Sequence, residues 1–221
     1  MGKRLLPVIH VVDEAQALAQ VKVARDAGAD GVWLIGHAMP ALELRRVFMS
    51  ARRAHGDFWL GINFLDLTGP KAMMTASALT LVARVDGLWT DNADPGSSMA
   101  SLVWGIKQRE GWTGQYFGGV AFKYQREVKD VAAAAVAAMA CMDVVTTSGD
   151  ATGEAARIEK IAMMKRAIGS FPLAIASGIS PENVGDYLPH VDCFLVATGI
   201  SRDFHELDPG RTRTLANLVH G

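Results

Sequence analysis

The chain has 221 residues, half of them hydrophobic, with 22 basic and 23 acidic side chains and a formal net charge of −1. This supports a sizeable folded core and argues against intrinsic disorder. The near balance of charge, with no long run of either sign, argues against nucleic acid or an anionic membrane surface as the main partner.

The first apolar run begins almost at once after Met1-Gly2-Lys3-Arg4, so no signal peptide is expected. The longest apolar stretch, 131–142, is mostly alanine and too short for a membrane span. Two cysteines, Cys141 and Cys193, fall in or beside predicted core elements, as expected of inert thiols in a reduced cytoplasmic protein.

Short apolar runs alternate with helix-period segments from end to end. Strands are predicted at 5–12, 31–35, 59–64, 87–90, 117–122, 144–147, 173–176 and 194–197. After the first, Asp13 and Gln16 form a capping box, with Ala17, Val21, Ala24 and Gly28 on one helix face. Pro40 opens the second helix, with Leu44, Val47, Phe48 and Ala51 inward. Ser180-Pro181-Glu182 and Asp208-Pro209 are helix-start signals after the last two strands. An aspartate precedes every second strand, at Asp30, Asp86, Asp143 and Asp192. A recurrence of about two βα units is a repeat signature, placed at helix-to-strand turns where it serves stability.

Eight βα units predict one closed (β/α)₈ barrel (TIM barrel) of eight parallel strands spanning residues 1–221. An open doubly wound sheet is disfavoured, because no G-x-G-x-x-G follows the first strand. In such a barrel, function sits where strands end. Those ends carry His10, His37, Asn63, Asp66, Asp91 and Lys123, then Thr147, Ser148, Gly149 and Asp150. The last two ends repeat each other: Ser177-Gly178-Ile179 and Thr198-Gly199-Ile200. Glycine lets a ligand approach the backbone, and barrels bind phosphate with the loops after strands seven and eight. The pair is therefore expected to anchor a phosphate. The loop 147–153 faintly resembles the diphosphate-ribose loop of phosphoribosyltransferases.

Lys123 has three readings: an electrostatic partner of an anionic substrate, a Schiff-base or proton-transfer lysine, or a surface lysine. His10, His37, Asp66 and Asp91 are candidates for proton transfer. A divalent metal is disfavoured, because no paired histidines occur in the first strand. No cofactor is expected. Trp33, Trp59 and Trp89 read as core, facing either the barrel or the helices.

Several of these strings resemble the BtpA family. They are Asp143-Val144-Val145-Thr146-Thr147-Ser148-Gly149, Thr152-Gly153-Glu154, Ala176-Ser177-Gly178-Ile179-Ser180-Pro181-Glu182-Asn183-Val184, Phe194 to Ile200, and Gly61-Ile62-Asn63. Lys123 falls where that family has a lysine after its fifth strand. The resemblance implies a (β/α)₈ fold and a family named for a photosystem I biogenesis factor, with other members in settings of sugar or nucleotide metabolism. Val11-Val12-Asp13 and Gly36-His37 depart from the family pattern, which alters the mouth beside the first two strands.

The expectation is an enzyme acting on a small phosphorylated metabolite, a sugar phosphate or nucleotide, by isomerase, lyase or phosphoribosyl-transfer chemistry. The alternatives are a non-catalytic assembly or stability factor and a phosphoribosyltransferase-like activity. No membrane span is expected, and a homo-oligomer is left open.

Overall fold

The computed structural model describes residues 2–221. Eight parallel strands close into a barrel in chain order: β1 Arg4–His10, β2 Gly31–Ile35, β3 Trp59–Asn63, β4 Gly87–Thr90, β5 Gln115–Gly119, β6 Val144–Ser148, β7 Leu173–Ala176 and β8 Cys193–Val196. The helices around it are α1 Glu14–Asp26, α2 Ala41–His55, α3 Gly69–Thr80, α4 Ser98–Arg109, α5 Val131–Ala138, α6 Ile158–Ile168, α7 Val184–Tyr187 and α8 Pro209–His220. The sequence-predicted (β/α)₈ fold is thus observed. Among the described residues, no helix is long and apolar enough to cross a membrane.

Two apolar layers result. The larger lies between sheet and helices. The smaller fills the barrel lumen, where Trp33, Trp59, Trp89 and Phe117 pack. Trp33 meets Trp59 and Phe117 edge to face, with ring centroids 5.0 and 4.9 Å apart, a favourable quadrupole arrangement. Glycines on β3 and β4 make the room. A Cβ on Gly61 would lie 2.3 Å from the Trp33 ring, and one on Gly87 2.5 Å from Trp59.

The four recurrent aspartates form one device repeated around the N-terminal rim. Each donates its own backbone N–H to a carbonyl of the preceding odd strand: Asp30 to Leu5, Asp86 to Leu60, Asp143 to Tyr116 and Asp192 to Leu173, at 2.9–3.0 Å. The side chain then accepts the N–H of that same residue, at 2.7–2.9 Å. Each carboxylate also meets a side chain from the last turn or turn-and-a-half of an even helix. The four are His220 of α8, Arg52 of α2, Lys107 of α4 and Lys165 of α6. Arg52, Lys107 and Lys165 also donate to the carbonyls of Phe58, Trp112 and Phe171, just before the next strand.

Four sequence expectations need correction. β1 is expected at 5–12 but runs Arg4–His10, so Val11 and Val12 lie beyond the strand. β5 was expected at 117–122 but runs Gln115–Gly119. The chain leaves the sheet at Gly119, where a Cβ would stand 1.9 Å from the Asp91 carbonyl oxygen, and Ala121 takes φ +48°. Gly28 is exposed rather than on the buried face of α1, because the helix stops at Asp26 and Gly28 makes the exit turn at φ +89°. The Ser180-Pro181-Glu182 signal opens turns before a one-turn α7, whose N-cap is Asn183.

Asp86 and Arg52 are nearly buried, with side-chain exposures of 14% and 10%. Removing one partner of such a pair strands the other charge, so Asp86→Asn should cost about 3 kcal/mol of stability in urea unfolding. A loss under about 0.5 kcal/mol, as at an ordinary surface site, would contradict the clamp's role.

Candidate functional site

The turn that carries Lys123 is built by buried polar groups. Ala121 and Tyr124 both adopt left-handed backbone, φ +48° and +59°, which costs energy for residues with a Cβ. The surrounding groups hold it there. Lys160 Nζ donates to the carbonyls of Ala121 and Ser148, each at 2.7 Å. Thr147 Oγ1 donates to Ala121 O at 3.3 Å, and the Lys123 backbone N–H donates to Ser148 Oγ at 2.8 Å. Thr147 and Ser148, expected to bind substrate, are wholly buried and shape this turn instead.

The turn aims Lys123 across the mouth, where its Nζ donates to Ser177 Oγ at 2.7 Å. Ser177 is itself left-handed, φ +75°. Both side chains line a cavity of about 190 Å³ at the C-terminal end of the barrel, together with His10, His37, Asp91 and Thr198. Val8, Ile35, Trp89, Ala176 and Leu195 form its apolar walls. Thr152 and Gly153, from the β6–α6 loop, complete the rim. Tyr124 secures that loop by accepting from Thr152 N at 3.1 Å and donating to Thr152 Oγ1 at 3.3 Å.

Electrostatics here follow burial. Desolvation lowers the Lys123 ammonium, opposed by the nearby Asp91 carboxylate. Desolvation raises Asp91, opposed by the hydrogen bond it accepts from Asn63 Nδ2 at 2.9 Å and by Lys123. His10 is pushed down to about 4 by burial, then by His37, His205 and Lys123, and His37 is lowered chiefly by burial. Burial thus disfavours the charged form of all four groups, and the two imidazoles are neutral at neutral pH.

The sequence-predicted residues divide as follows. The structure brings His10, His37, Asp91, Lys123, Ser177 and Thr198 to one cavity. Asn63 lies behind it, holding Asp91. Asp66 stands outside the cavity wall and accepts the first N–H of α2, from Ala41, at 3.0 Å. Gly149 and Asp150 line a separate pocket with Arg157 and Lys160. Ile179 and Ile200 are in the helix-side core. Gly178 and Gly199 lie just behind the cavity wall and serve loop-to-loop contact. A Cβ on Gly178 would sit 2.1 Å from Ala155 N, and one on Gly199 1.9 Å from Ile179 O.

Comparison with known proteins adds a family match over part of the chain. Residues 120–221 match the model of the BtpA family. The resemblance read from the sequence is thereby borne out over those residues. Lys123, Tyr124, Thr152, Ser177 and Thr198 all lie within the BtpA match; His10, His37, Asn63 and Asp91 lie before it. An uncharacterized protein of Thermococcus kodakarensis is 35% identical over 80 residues, covering 35% of this chain and 30% of that protein.

Solved structures share the fold at low identity. Phosphoribosyl anthranilate isomerase from Thermus thermophilus is similar with a TM-score of 0.69 and 16% identity, covering 97% of this chain and 96% of that one. Orotidine 5'-monophosphate decarboxylase from Methanocaldococcus jannaschii gives 0.70 and 14%, covering 98% of each. The tryptophan synthase alpha subunit of Legionella pneumophila gives 0.72 and 12%, covering 98% and 92%.

Sequence reasoning missed Phe204 as a wall of the site. Its ring stacks on His10 with centroids 4.0 Å apart and lies 5.4 Å from His37, while His10 and His37 are 4.9 Å apart. The loop that presents it is pinned by Gln16, whose Nε2 donates to His205 O at 2.7 Å and to His10 O at 3.3 Å. The signal was a Phe-His pair in a polar stretch after strand eight, adjacent to strand one only because the barrel closes.

His10 gives a pH test. Its folded pKa lies below the unfolded value of 6.5, so the unfolded chain binds more protons between those values and stability falls as pH drops from 6.5 toward 4. That loss should reach about 2–3 kcal/mol by pH 4. His10→Phe, which keeps a ring against Phe204, should flatten that part of the urea-unfolding pH profile. An unchanged profile would contradict a buried neutral imidazole.

Proposed function

We propose that the protein is an enzyme of proton-transfer chemistry acting on a small phosphorylated metabolite held at the C-terminal mouth of its barrel. One observation carries the reading. The Lys123 ammonium from the β5 turn and the Ser177 and Thr198 hydroxyls from the ends of β7 and β8 converge on one cavity. An anion there would meet the Lys123 amine, whose protonated form it would favour, and two hydroxyl donors in a partly desolvated site, where such bonds are stronger than in water. The loops after strands seven and eight are also where barrels commonly hold phosphate.

The remaining groups suit acid–base work. Asp91 is raised toward neutrality and Lys123 lowered toward it, each by burial. That brings a general base and a general acid closer to the operating pH. His10 and His37, neutral at pH 7, can orient substrate oxygen atoms by hydrogen bonding. Proteins of the same fold whose names carry phosphorylated compounds, such as phosphoribosyl anthranilate isomerase and orotidine 5'-monophosphate decarboxylase, support the substrate class by analogy. The open, polar-rimmed mouth favours an enzyme over a non-catalytic assembly factor.

A thermal-shift screen against phosphorylated metabolites tests this reading. A ligand at about 100 times its Kd adds about 2.7 kcal/mol. In a chain of this size that raises Tm by about 5–10 °C. Thr198→Val and Lys123→Met should abolish the shift while leaving the unliganded Tm nearly unchanged. Thr198→Val is the cleaner anchor variant, because any side chain at Gly199 collides with the Ile179 backbone. No shift with any phosphorylated compound, or equal shifts in wild type and both variants, would overturn the proposal.

A further inference from the structure

The central cavity is small. At about 190 Å³ it falls below the roughly 300–1,000 Å³ usual for small-molecule sites. A phosphate and a few carbon atoms fill it, and the rest of a larger substrate must lie elsewhere. Beside it is a chamber of about 590 Å³ between the ends of β3 and β4 and the start of α4. Asp91 is on the wall of both spaces.

The chemistry of this chamber differs from that of the phosphate end. No lysine or arginine lines it, and its charges are the carboxylates of Asp91 and Asp94, so a second anionic group is disfavoured. Leu65 and Met99 line it while remaining 38% and 51% exposed. Apolar surface left open in a concavity points to a ligand that covers it. A thioether and aliphatic wall suits the face of a flat ring. The exposed amides of Asn92 and Gln125 also line the chamber. Each offers both a donor and an acceptor, which suits the mixed edge of a heterocycle. The Asn63 amide is already committed to Asp91, and the Thr90 and Tyr116 hydroxyls to each other at 2.8 Å.

We infer that the chamber is the second subsite for the same substrate, taking an uncharged planar heterocycle of the nucleobase class. The substrate class is then a nucleotide or a closely related ribosyl phosphate, its phosphate by Ser177 and Thr198 and its ring by Met99, with Asp91 facing the segment between. This rests on the phosphate reading of the mouth given above.

Isothermal titration of the full chain with ribose 5-phosphate and with the four common ribonucleoside 5'-monophosphates separates the two readings. In the wild type, at least one nucleotide should bind tenfold or more tightly than ribose 5-phosphate. A double variant, Asn92→Leu with Gln125→Leu, should reduce that nucleotide to the ribose 5-phosphate level while leaving ribose 5-phosphate itself unchanged. Met99→Trp, which fills the chamber, should do the same. Binding of ribose 5-phosphate without any nucleotide preference would overturn the chamber assignment and leave the phosphate site standing. So would a preference that survives in both variants. Failure of ribose 5-phosphate and every nucleotide to bind would overturn this inference, and a thermal-shift screen in which no phosphorylated compound binds would remove the phosphate reading itself.

Discussion

A carboxylate that accepts a strand N–H while its own N–H is returned to the same residue fixes the register of two strands at a single point. Asp30, Asp86, Asp143 and Asp192 do this at four places around the N-terminal rim. A side chain from an even helix then ties the outer layer to each point. The bottom of the barrel is thus held by specific polar bonds whose loss would leave buried groups unpaired. Because closure is secured there, the loops at the opposite end are free to carry left-handed residues and polar groups that contribute little to folding.

The lumen links the two ends. Trp33 and Trp59 fill the lower barrel only because Gly61 and Gly87 leave space for their rings. Trp89 sits above them and forms part of the cavity wall. The aromatic packing therefore sets how deep the cavity reaches and keeps its floor apolar. Against that floor, Lys123 and Asp91 are desolvated enough to shift in opposite directions. The left-handed Ala121 is held by Lys160 Nζ and Thr147 Oγ1, which both donate to its carbonyl, and the left-handed Ser177 accepts from Lys123 Nζ. The result is a preorganised ammonium and hydroxyl pair instead of a mobile surface lysine.

Much of this was legible in the sequence, for reasons that differ by residue. Strands such as 31–35, 87–90 and 173–176 are legible at their observed bounds because fully buried runs end abruptly at turn residues. The aspartate recurrence was visible because one local hydrogen-bond pattern requires the same residue each time. The end of β5 was not visible, because Val120, Ala121 and Phe122 continue an apolar run, and the turn there is held by Lys160 and packs against the Asp91 backbone, both distant in sequence. Gly178 and Gly199 illustrate a different limit. A missing Cβ admits a ligand or a neighbouring loop equally well, and here the backbones of Ala155 and Ile179 occupy that space. Phe204 reaches His10 only through the closure of β8 onto β1, which no local pattern encodes.

The proposed anion lies at the mouth between the ends of β5, β7 and β8. The most direct measurement is a crystal of the protein soaked with tungstate, a heavy tetrahedral stand-in for phosphate, with its position read from anomalous density. One dominant site is expected, within hydrogen-bonding distance of Ser177 Oγ and Thr198 Oγ1 and facing Lys123 Nζ. A central cavity without tungstate, while the ion occupies other surfaces, would contradict it.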